Sequence, residues 1–359
     1  KKLLVLPSLE EAKSYFHRPN SKATPVASTR NKVHANAANY PYLISLILPA
    51  YNEKGSHLLC KLTKALERAK DPNEVEVVVV DAGGCSDLGM LLSLAGRNSN
   101  NNEDGSNHNY WGQVSIFSFT SGGGRGPCLN FGASVATGRI LTFCHSDTTL
   151  PHHWDERIVL TLEHEGMNDD ELSRKGIARA NSCVFSFGID TSHEGLSMPF
   201  LASTKSYYPP GIKAVQVTAN LRNRLYSLPY GDQPLSMHAC VFDFLGGFPD
   251  QCLMEDYELS SLLRRRAALF VPPSNSSGGK VKERVLVIPG TPSLCSPRRW
   301  QKFGVLYVTY MNSKFVNLYA GTRRMGPDEL FQLYYCSKPP TRDACDSPWE
   351  VELAKRLES

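Results

Sequence analysis

The chain has 359 residues, 41% of them hydrophobic, which excludes an intrinsically disordered protein and allows one large α/β domain or two smaller ones. Its formal net charge is +4, from 39 basic and 35 acidic residues, too small an excess for a dedicated nucleic-acid-binding protein. Its ten cysteines include no C-x-x-C pair, which argues against a zinc knuckle or a disulfide framework and favours a reducing compartment.

The N-terminal segment, residues 1–39, is rich in Lys, Ser, Ala and Asn, and we expect it to be a leader or linker outside the folded core. Two acidic residues, Glu10 and Glu11, fit a transit peptide poorly. No apolar run reaches about eighteen residues, so the sequence predicts no membrane-spanning helix. We therefore expect a cytoplasmic or organellar protein.

The first predicted elements form a βαβ unit. Residues 43–50 and 75–82 are nearly continuous apolar runs, typical of strands covered on both faces of a parallel sheet, and residues 57–69 between them have helical spacing. After an Asn-rich insertion at 98–109, the pattern predicts a strand at 114–120, a helix at 127–137 and a strand at 139–144. This alternation predicts an open, mostly parallel α/β sheet flanked by helices.

Polar loops follow the predicted strands, at residues 49–53, 81–87, 121–130 and 145–148. In an open α/β sheet, ligands bind outside the carboxyl ends of the strands, so we expect these loops to form one site. A Rossmann dehydrogenase is the competing interpretation. The first strand is followed by PAYNEKG, which lacks G-x-G-x-x-G, and this argues against a dinucleotide.

Several motifs along the chain together resemble the inverting glycosyltransferases of family 2. They read LILPAYNE, VVVVDAGGCSD, GGGRGPCLNFGASVATGRILTFCHSDTTLP and LPYGDQPLSMHACVFDFLGGFPDQCLMEDYELSSLLRRR. The strand-end HSDT and the segment SPRRWQKFGVLYVTYMN are similar to the bacterial selenodomain-associated subgroup, where H-A-D-T replaces the wider family's D-x-D. The resemblance spans roughly residues 42–335 and implies a GT-A nucleotide-diphospho-sugar transferase fold.

The resemblance divides the chain into three parts. It implies a glycosyltransferase domain at 40–335, with a nucleotide-binding half at about 42–151 and an acceptor and catalytic half at about 180–335. Residues 1–39 precede this domain, and a tail at 336–359 follows it.

Asp147 and His145 end the fourth predicted strand. A divalent cation with hard oxygen ligands stabilises a departing diphosphate, so Asp147 is the natural ligand for Mg²⁺ or Mn²⁺. His145 is the candidate second ligand, and an imidazole would favour manganese. Alternatively, His145 hydrogen-bonds a phosphate or packs beneath Thr148.

The resemblance implies a set of residues that bind a UDP- or GDP-linked donor. Asp81 and Glu53 would contact the base or ribose, and Asp87 is either a weaker contact or a helix cap. Arg125 suits a phosphate or a nucleobase edge, or is an exposed loop residue. The full set of candidate donor contacts is Pro49, Tyr51, Glu53, Asp81, Arg125, Asp232, Gln233, Arg298, Arg299 and Trp300.

An acidic pair, Glu255 and Asp256, opens a predicted amphipathic helix after a Gly-Gly-Phe-Pro break. Inverting transfer needs one carboxylate to take the proton of the acceptor hydroxyl. By resemblance to the family's E-D motif, Asp256 is the general base and Glu255 its orienting neighbour or a substrate contact. The alternative is a pair of acids that only favours a helix N-terminus.

Residues 303–321 are amphipathic and rich in aromatic side chains. Such a segment either lies on a membrane surface and presents a lipid acceptor, or covers the sheet. The sequence thus predicts an inverting, metal-dependent transfer of sugar to a hydroxyl acceptor, a lipid or a glycan, with no nucleic-acid partner. The alternative is a catalytically silent relative that binds a sugar nucleotide or glycan.

Overall fold

The computed structural model describes residues 41–86, 113–119, 124–163, 171–172, 175, 178–191, 210–269, 283–321 and 325–335. The predicted leader, the Asn-rich insertion, Asp87 and the predicted tail lie outside these residues.

A seven-stranded sheet organises the molecule, in the order β3-β2-β1-β4-β6-β5-β7. Strands β1 to β4 pair in parallel, as do β5 and β7, whereas β6 runs antiparallel to β4 and β5. The prediction of a mostly parallel α/β sheet is therefore confirmed. The strands are β1 (Tyr42–Ala50), β2 (Val75–Asp81), β3 (Val114–Ser118), β4 (Gly138–Phe143), β5 (Arg179–Ile189), β6 (Leu235–His238) and β7 (Glu283–Cys295).

The longer helices of the described residues flank this sheet or follow it in the chain. They are α1 (Gly55–Glu67), α2 (Arg125–Val135), α3 (Trp154–Leu162), α4 (Ile212–Tyr226), α5 (Ala239–Leu245), α6 (Glu255–Leu269), α7 (Arg298–Phe303), α8 (Val305–Ala320) and α9 (Pro327–Tyr335). Each strand and helix predicted in the first half is present, with ends shifted by about two residues.

The start of α2 differs from the prediction that Pro127 takes the first helical position. The helix begins at Arg125, because Gly124 makes the sharp entry with φ of 92°. Pro127 is then the third helical residue, where a backbone N–H still has no intrahelical partner to lose. This shift places Arg125 in the first position of the helix, at its N-terminal end.

Alternate residues of the central strands enter two cores. Ile44, Leu46 and Leu48 of β1 pack with α1 and α3 on one face, while Ile47 packs with α2, α5 and α6 on the other. Covering both faces explains why β1 and β2 are apolar at nearly every position. Each fully buried Leu or Ile contributes about 1.5–3 kcal/mol relative to an exposed one, so the central strands form a rigid base for their loops.

A buried carboxylate fixes where β4 begins. Glu76 on β2 accepts hydrogen bonds from the Ser45 hydroxyl of β1 and from the backbone N–H groups of Thr137 and Gly138. The Thr137 hydroxyl also donates to Glu76, at 2.8 Å. With these groups satisfied, the starts of three neighbouring strands are held in one register.

The reversed direction of β6 matters for the site. Because β6 is antiparallel to β4, its first residue, Leu235, pairs with the last residue of β4, Phe143. The turn that precedes β6 therefore reaches the same edge as the loops that follow β1, β2 and β4.

Candidate functional site

The loops after β1 and β2 form one side of a crevice at this edge of the sheet. Asp81, the last residue of β2, is buried and accepts the N–H of Gly83 at 2.9 Å. Glu53 accepts the hydroxyl of Ser146 at 3.0 Å, which ties the first loop to the loop after β4. Burial, together with a hydrogen bond to Asp81, raises the pKa of the Cys85 thiol to about 11.

The other two candidates on β1 and its loop differ in exposure. Pro49 lies within β1 opposite Val80 of β2 and is partly buried. Tyr51 directly after the strand is 68% exposed, so its ring is free to meet a ligand.

Arg125 connects the two parts of the site that lie furthest apart in the chain. Its Nε donates to the Glu255 carboxylate, and its terminal nitrogens lie 3.4 Å from Asp256 Oδ2 and 2.5 Å from His145 Nε2. Burial disfavours the charge on Arg125, but Glu255 and Asp256 outweigh that effect, and its pKa is raised. The tip of β4 and the acidic pair of α6 therefore meet through one permanent cation.

The acidic pair reaches Arg125 because α2 and the loop before α6 pack closely. A Cβ on Gly126 would lie 2.6 Å from the Pro249 carbonyl oxygen, so only glycine permits this approach. The Asn130 side chain both donates to the Phe248 carbonyl at 2.8 Å and accepts the Phe248 N–H at 2.9 Å. These contacts fix the chain just before Glu255.

The two acids have different environments. The Glu255 side chain is only 1% exposed, and burial raises its pKa, against the opposing effect of Arg125. The Asp256 side chain is 24% exposed, accepts the N–H of Gly231 at 2.6 Å and accepts that of Tyr257 at 2.7 Å. Asp256 is thus the carboxylate that a molecule entering from solvent can reach.

His145 lies between Arg125 and Asp232. Its Nδ1 is 3.9 Å from Asp232 Oδ1, on the side opposite the Arg125 contact. Burial and the adjacent Arg125 charge lower the pKa of His145, so the ring is neutral near pH 7 and its Nε2 accepts from Arg125. This arrangement leaves Nε2 unavailable to a metal while the Arg125 contact persists.

The turn before β6 is stabilised by contacts of Arg222, a residue that the sequence pattern did not indicate. The guanidinium of Arg222 on α4 stacks 3.4 Å above the centre of the Tyr230 ring, and its Nε donates to the Leu228 carbonyl. An arginine seven residues before the Pro-Tyr-Gly-Asp string was the available signal. The stacking fixes Gly231 and Asp232 in place.

Gln233 takes a structural position in this turn. It is 2% exposed, and its amide nitrogen donates to the Phe185 carbonyl at 2.8 Å while its oxygen accepts from Asn223. Both ends of the amide are therefore used within the protein.

The three residues of the predicted Arg-Arg-Trp element lie in different environments. Arg298 projects to the crevice, where its guanidinium lies 3.2 Å from Asp147 Oδ2. Arg299 instead bonds Asn312 and lies over the Tyr334 ring, 4.9 Å from its centre. Trp300 is buried against Phe187, with ring centres 6.1 Å apart.

A small cavity lies beneath the acidic pair. Its volume is about 30 Å³, and its lining includes Arg125, His145, Tyr230, Glu255 and Asp256. That volume holds about one water molecule, far less than a nucleotide sugar. Glu255 Oε2 has no hydrogen-bond partner among the described residues, so a water in this cavity has an acceptor to meet. A nucleotide sugar would therefore extend beyond this cavity.

The residues at the tip of β4 fit a divalent cation only with help from a substrate. The described part of the chain contains no group of three or more His, Cys, Asp or Glu side chains arranged to hold a metal ion. Asp147 offers a carboxylate that is 35% exposed, and Mg²⁺ is commonly held by one or two carboxylates plus substrate phosphates. Asp147 fits that role, whereas His145 faces Arg125.

Comparison with known families gives a match to part of the chain. Residues 45–170 match the model described as glycosyl transferase family 2, about a third of the chain. The match covers Glu53, Asp81, Arg125, His145 and Asp147. It confirms the resemblance to this family over those residues, while the selenodomain-associated subgroup stays a prediction.

Solved structures give distant alignments. TarS residues 1–349 from S. aureus is 13% identical, with 81% of this chain and 69% of that one covered and a TM-score of 0.42. The mannosyltransferase PcManGT from Pyrobaculum calidifontis, in complex with GDP-Man and Mn²⁺, is 14% identical, with 97% and 80% covered and a TM-score of 0.48. At these scores the alignments say nothing about the substrate of this chain. A comparison with curated proteins gives no significant match.

Proposed function

We propose that this chain, whose residues 45–170 belong to glycosyltransferase family 2, transfers a sugar from a nucleotide-diphosphate donor to a hydroxyl acceptor with inversion. The observation that carries the proposal is the contact of Arg125 with both His145 and the acidic pair Glu255 and Asp256. That contact brings the end of a parallel strand, where a donor diphosphate is expected, next to a solvent-accessible carboxylate.

Asp256 is the proposed general base. It takes the proton of the acceptor O–H as that oxygen attacks the anomeric carbon, and the bond from that carbon to the diphosphate breaks with its electrons leaving on the diphosphate. The hydrogen bond from Gly231 and the Arg125 charge hold one carboxylate oxygen in place. Glu255, buried beneath, orients Arg125 and does not itself reach the acceptor.

The donor is proposed to lie along the loops after β1, β2 and β4. Asp81, Glu53, Pro49 and Tyr51 contact the base and ribose, and Asp232 approaches the sugar. Arg298 exchanges its Asp147 partner for the diphosphate, since a guanidinium binds phosphate oxygens well. Three further residues support the donor-binding side chains from within the protein, as the internal contacts of Gln233, Arg299 and Trp300 indicate.

Asp147 is the residue proposed to hold a divalent cation, Mg²⁺ or Mn²⁺, together with oxygens of the donor diphosphate. When bound, such a cation offsets the negative charge of the leaving diphosphate. We retain His145 as a polar contact near the phosphates, oriented by Arg125 and Asp232.

The donor base, UDP or GDP, and the acceptor, lipid or glycan, are set by side chains outside the shared motifs. Membrane contact through residues 303–321 belongs to the same proposal. None of the helices in the described parts of the chain has the length and apolar character that crossing a bilayer requires.

The decisive experiment measures donor binding, donor hydrolysis and sugar transfer over a panel of UDP- and GDP-linked sugars with Mg²⁺ or Mn²⁺. We expect Asp256→Asn to bind the donor about as tightly as the native chain and to lose transfer by about 10²–10⁴-fold, because it removes the proton acceptor. Glu67→Gln, a substitution at an exposed carboxylate of α1, is the control. Binding without hydrolysis or transfer, for every donor, would support the silent sugar-nucleotide binder instead.

A further inference from the structure

Two helices in the second half of the chain expose apolar side chains in stripes. On α4, Val217, Leu221 and Leu225 are spaced four residues apart and each is more than half exposed. Residues four apart lie on the same face of a helix. On α8, Leu306 is 86% exposed, and Tyr307 and Tyr310 are more than half exposed. Single exposed apolar residues are ordinary, but two stripes of them require an explanation.

The two stripes lie on the outer side of one shared layer. Ile212 and Ala219 of α4 pack in the same small core as Val308 of α8. The helices meet near their N-termini, where a Cβ on Gly211 would lie 3.4 Å from Val305. Since their inward faces share a core, their exposed faces point away from it. We call the residues of the two stripes, with Phe303 at the end of α7, the docking face.

The docking face is bordered by positive charge. Neither residues 212–226 nor residues 298–320 contain an Asp or Glu. Lys213 and Arg224 on α4 are exposed and lie along the same stripe as Val217 and Leu221. Lys302 lies 5.1 Å from the Phe303 ring centre, and Lys314 lies 5.9 Å from that of Tyr310. In a chain whose net charge is only +4, this is a local concentration of cations beside apolar side chains.

We propose that the docking face binds the surface of an anionic lipid bilayer. Leucine, valine and aromatic side chains enter the boundary between headgroups and acyl chains, while lysine and arginine stems extend to the lipid phosphates. A protein partner fits less well, because lysine is depleted in protein–protein interfaces. A second copy of this chain fits least, since it would oppose two segments that carry lysine and arginine but no acid to the same two segments.

The docking face adjoins the proposed active site along the chain. Helix α7 begins with Arg298, which pairs with Asp147, and ends with Phe303 of the docking face. Helix α4 leads directly into the turn that carries Gly231 and Asp232. If the proposed function holds, on which this step alone rests, a bilayer at the docking face presents lipid-borne hydroxyls to the crevice and makes them the acceptor class.

Vesicle flotation of the full chain tests the proposal. We compare phosphatidylcholine vesicles with vesicles that also contain roughly one quarter phosphatidylglycerol, at low and at raised salt. The native chain should float with the anionic vesicles and less so at raised salt. Leu306→Ser with Tyr307→Ser and Tyr310→Ser should weaken binding more than tenfold, and Lys213→Gln or Lys302→Gln about fivefold each. Leu160→Ser, at a 44% exposed leucine of α3, is the matched control and should not change it.

Two results would overturn the proposal. One is a failure of anionic-vesicle binding, either because the native chain does not float with anionic vesicles or because the α8 variant binds them as tightly as the Leu160→Ser variant does. The other is a concentration-dependent dimer in sedimentation that the α8 substitutions abolish, which would assign the face to a second copy. Donor binding is measured on every variant. Donor binding without vesicle binding would contradict only the proposal for the docking face. Vesicle binding without donor turnover would contradict only the proposed function.

Discussion

At the scale of single residues, Arg125 is the most informative side chain in the crevice. The sequence predicted it at a phosphate or nucleobase edge, because it follows glycines at a helix start. In the structure it contacts Glu255, Asp256 and His145. No local pattern reports a partner 130 residues away, so this pairing was beyond prediction from motifs.

Replacing Arg125 by methionine should destabilise the fold. Glu255 would keep its buried carboxylate without a counter-charge, and breaking a buried pair costs about 3–5 kcal/mol. Because the Arg125 side chain is 32% exposed, solvent screens part of the pair, and we expect about 3 kcal/mol. Urea denaturation measures the loss.

The double variant Arg125→Met with Glu255→Gln should recover part of this stability, since it removes the orphaned charge as well. Equal losses in the single and double variants would show that the arginine acts by packing alone.

Cys85 offers a pH-dependent readout of the first two loops. With a pKa raised to about 11, about 0.1% of its thiol is ionised at pH 8. Its alkylation by iodoacetamide should therefore accelerate about tenfold per pH unit from 8 to 10, whereas a small free thiol of pKa about 8.5 levels off near pH 9. Peptide mass spectrometry follows the residue separately. A rate for Cys85 that levels off near pH 9 would contradict the raised pKa.

At the scale of elements, the contact between α2 and the chain before α6 assembles the site. The sequence pattern is good at predicting the elements themselves: apolar runs predicted β1, β2 and β4, and helical spacing predicted α1 and α2. The same pattern does not predict which elements contact each other. Gly124 and Gly126 signalled a turn, yet their structural use is to let Cys252 and Pro249 approach the backbone at the start of α2.

Gly126→Ala tests this contact. An alanine inside a helix normally stabilises it by about 1 kcal/mol relative to glycine, but here the added carbon would lie 2.6 Å from the Pro249 carbonyl oxygen. We expect lower stability and at least about a tenfold loss of transfer, because α2 must move away from Glu255. Ser134→Ala on the exposed side of the same helix should leave both unchanged. Transfer rates and thermal unfolding measure the outcome, and a stabilised, active Gly126→Ala chain would refute the tight contact.

At the scale of the whole molecule, the crevice draws side chains from both halves of the chain. Asp81, Arg125 and Asp147 precede residue 150, whereas Asp232 and Asp256 follow residue 230. The parallel part of the sheet was predictable from its buried apolar strands. The position of the short β6 between β4 and β5 was not, because a four-residue strand carries almost no periodic signal.

A nucleotide-sugar donor that bridges both halves should stabilise the native state. At a concentration about 100-fold above its Kd, the donor adds about 2.7 kcal/mol, a shift of several degrees in thermal unfolding. Removal of divalent cations by EDTA should diminish the shift, and Asp147→Asn should make it insensitive to EDTA. Glu67→Gln should behave as the native chain does. A donor-induced shift that ignores EDTA in the native chain would argue against a cation at Asp147.

The reversed strand β6 also determines how the molecule can be divided. Because β6 comes from the second half but fills the place beside β4, a fragment cut at residue 170, where the family match ends, would leave β4 with an open edge and the apolar side chains of Leu141 and Phe143 uncovered. Such a fragment would self-associate through that edge. We therefore expect a fragment that folds alone to include β6, the strand that covers this edge of β4.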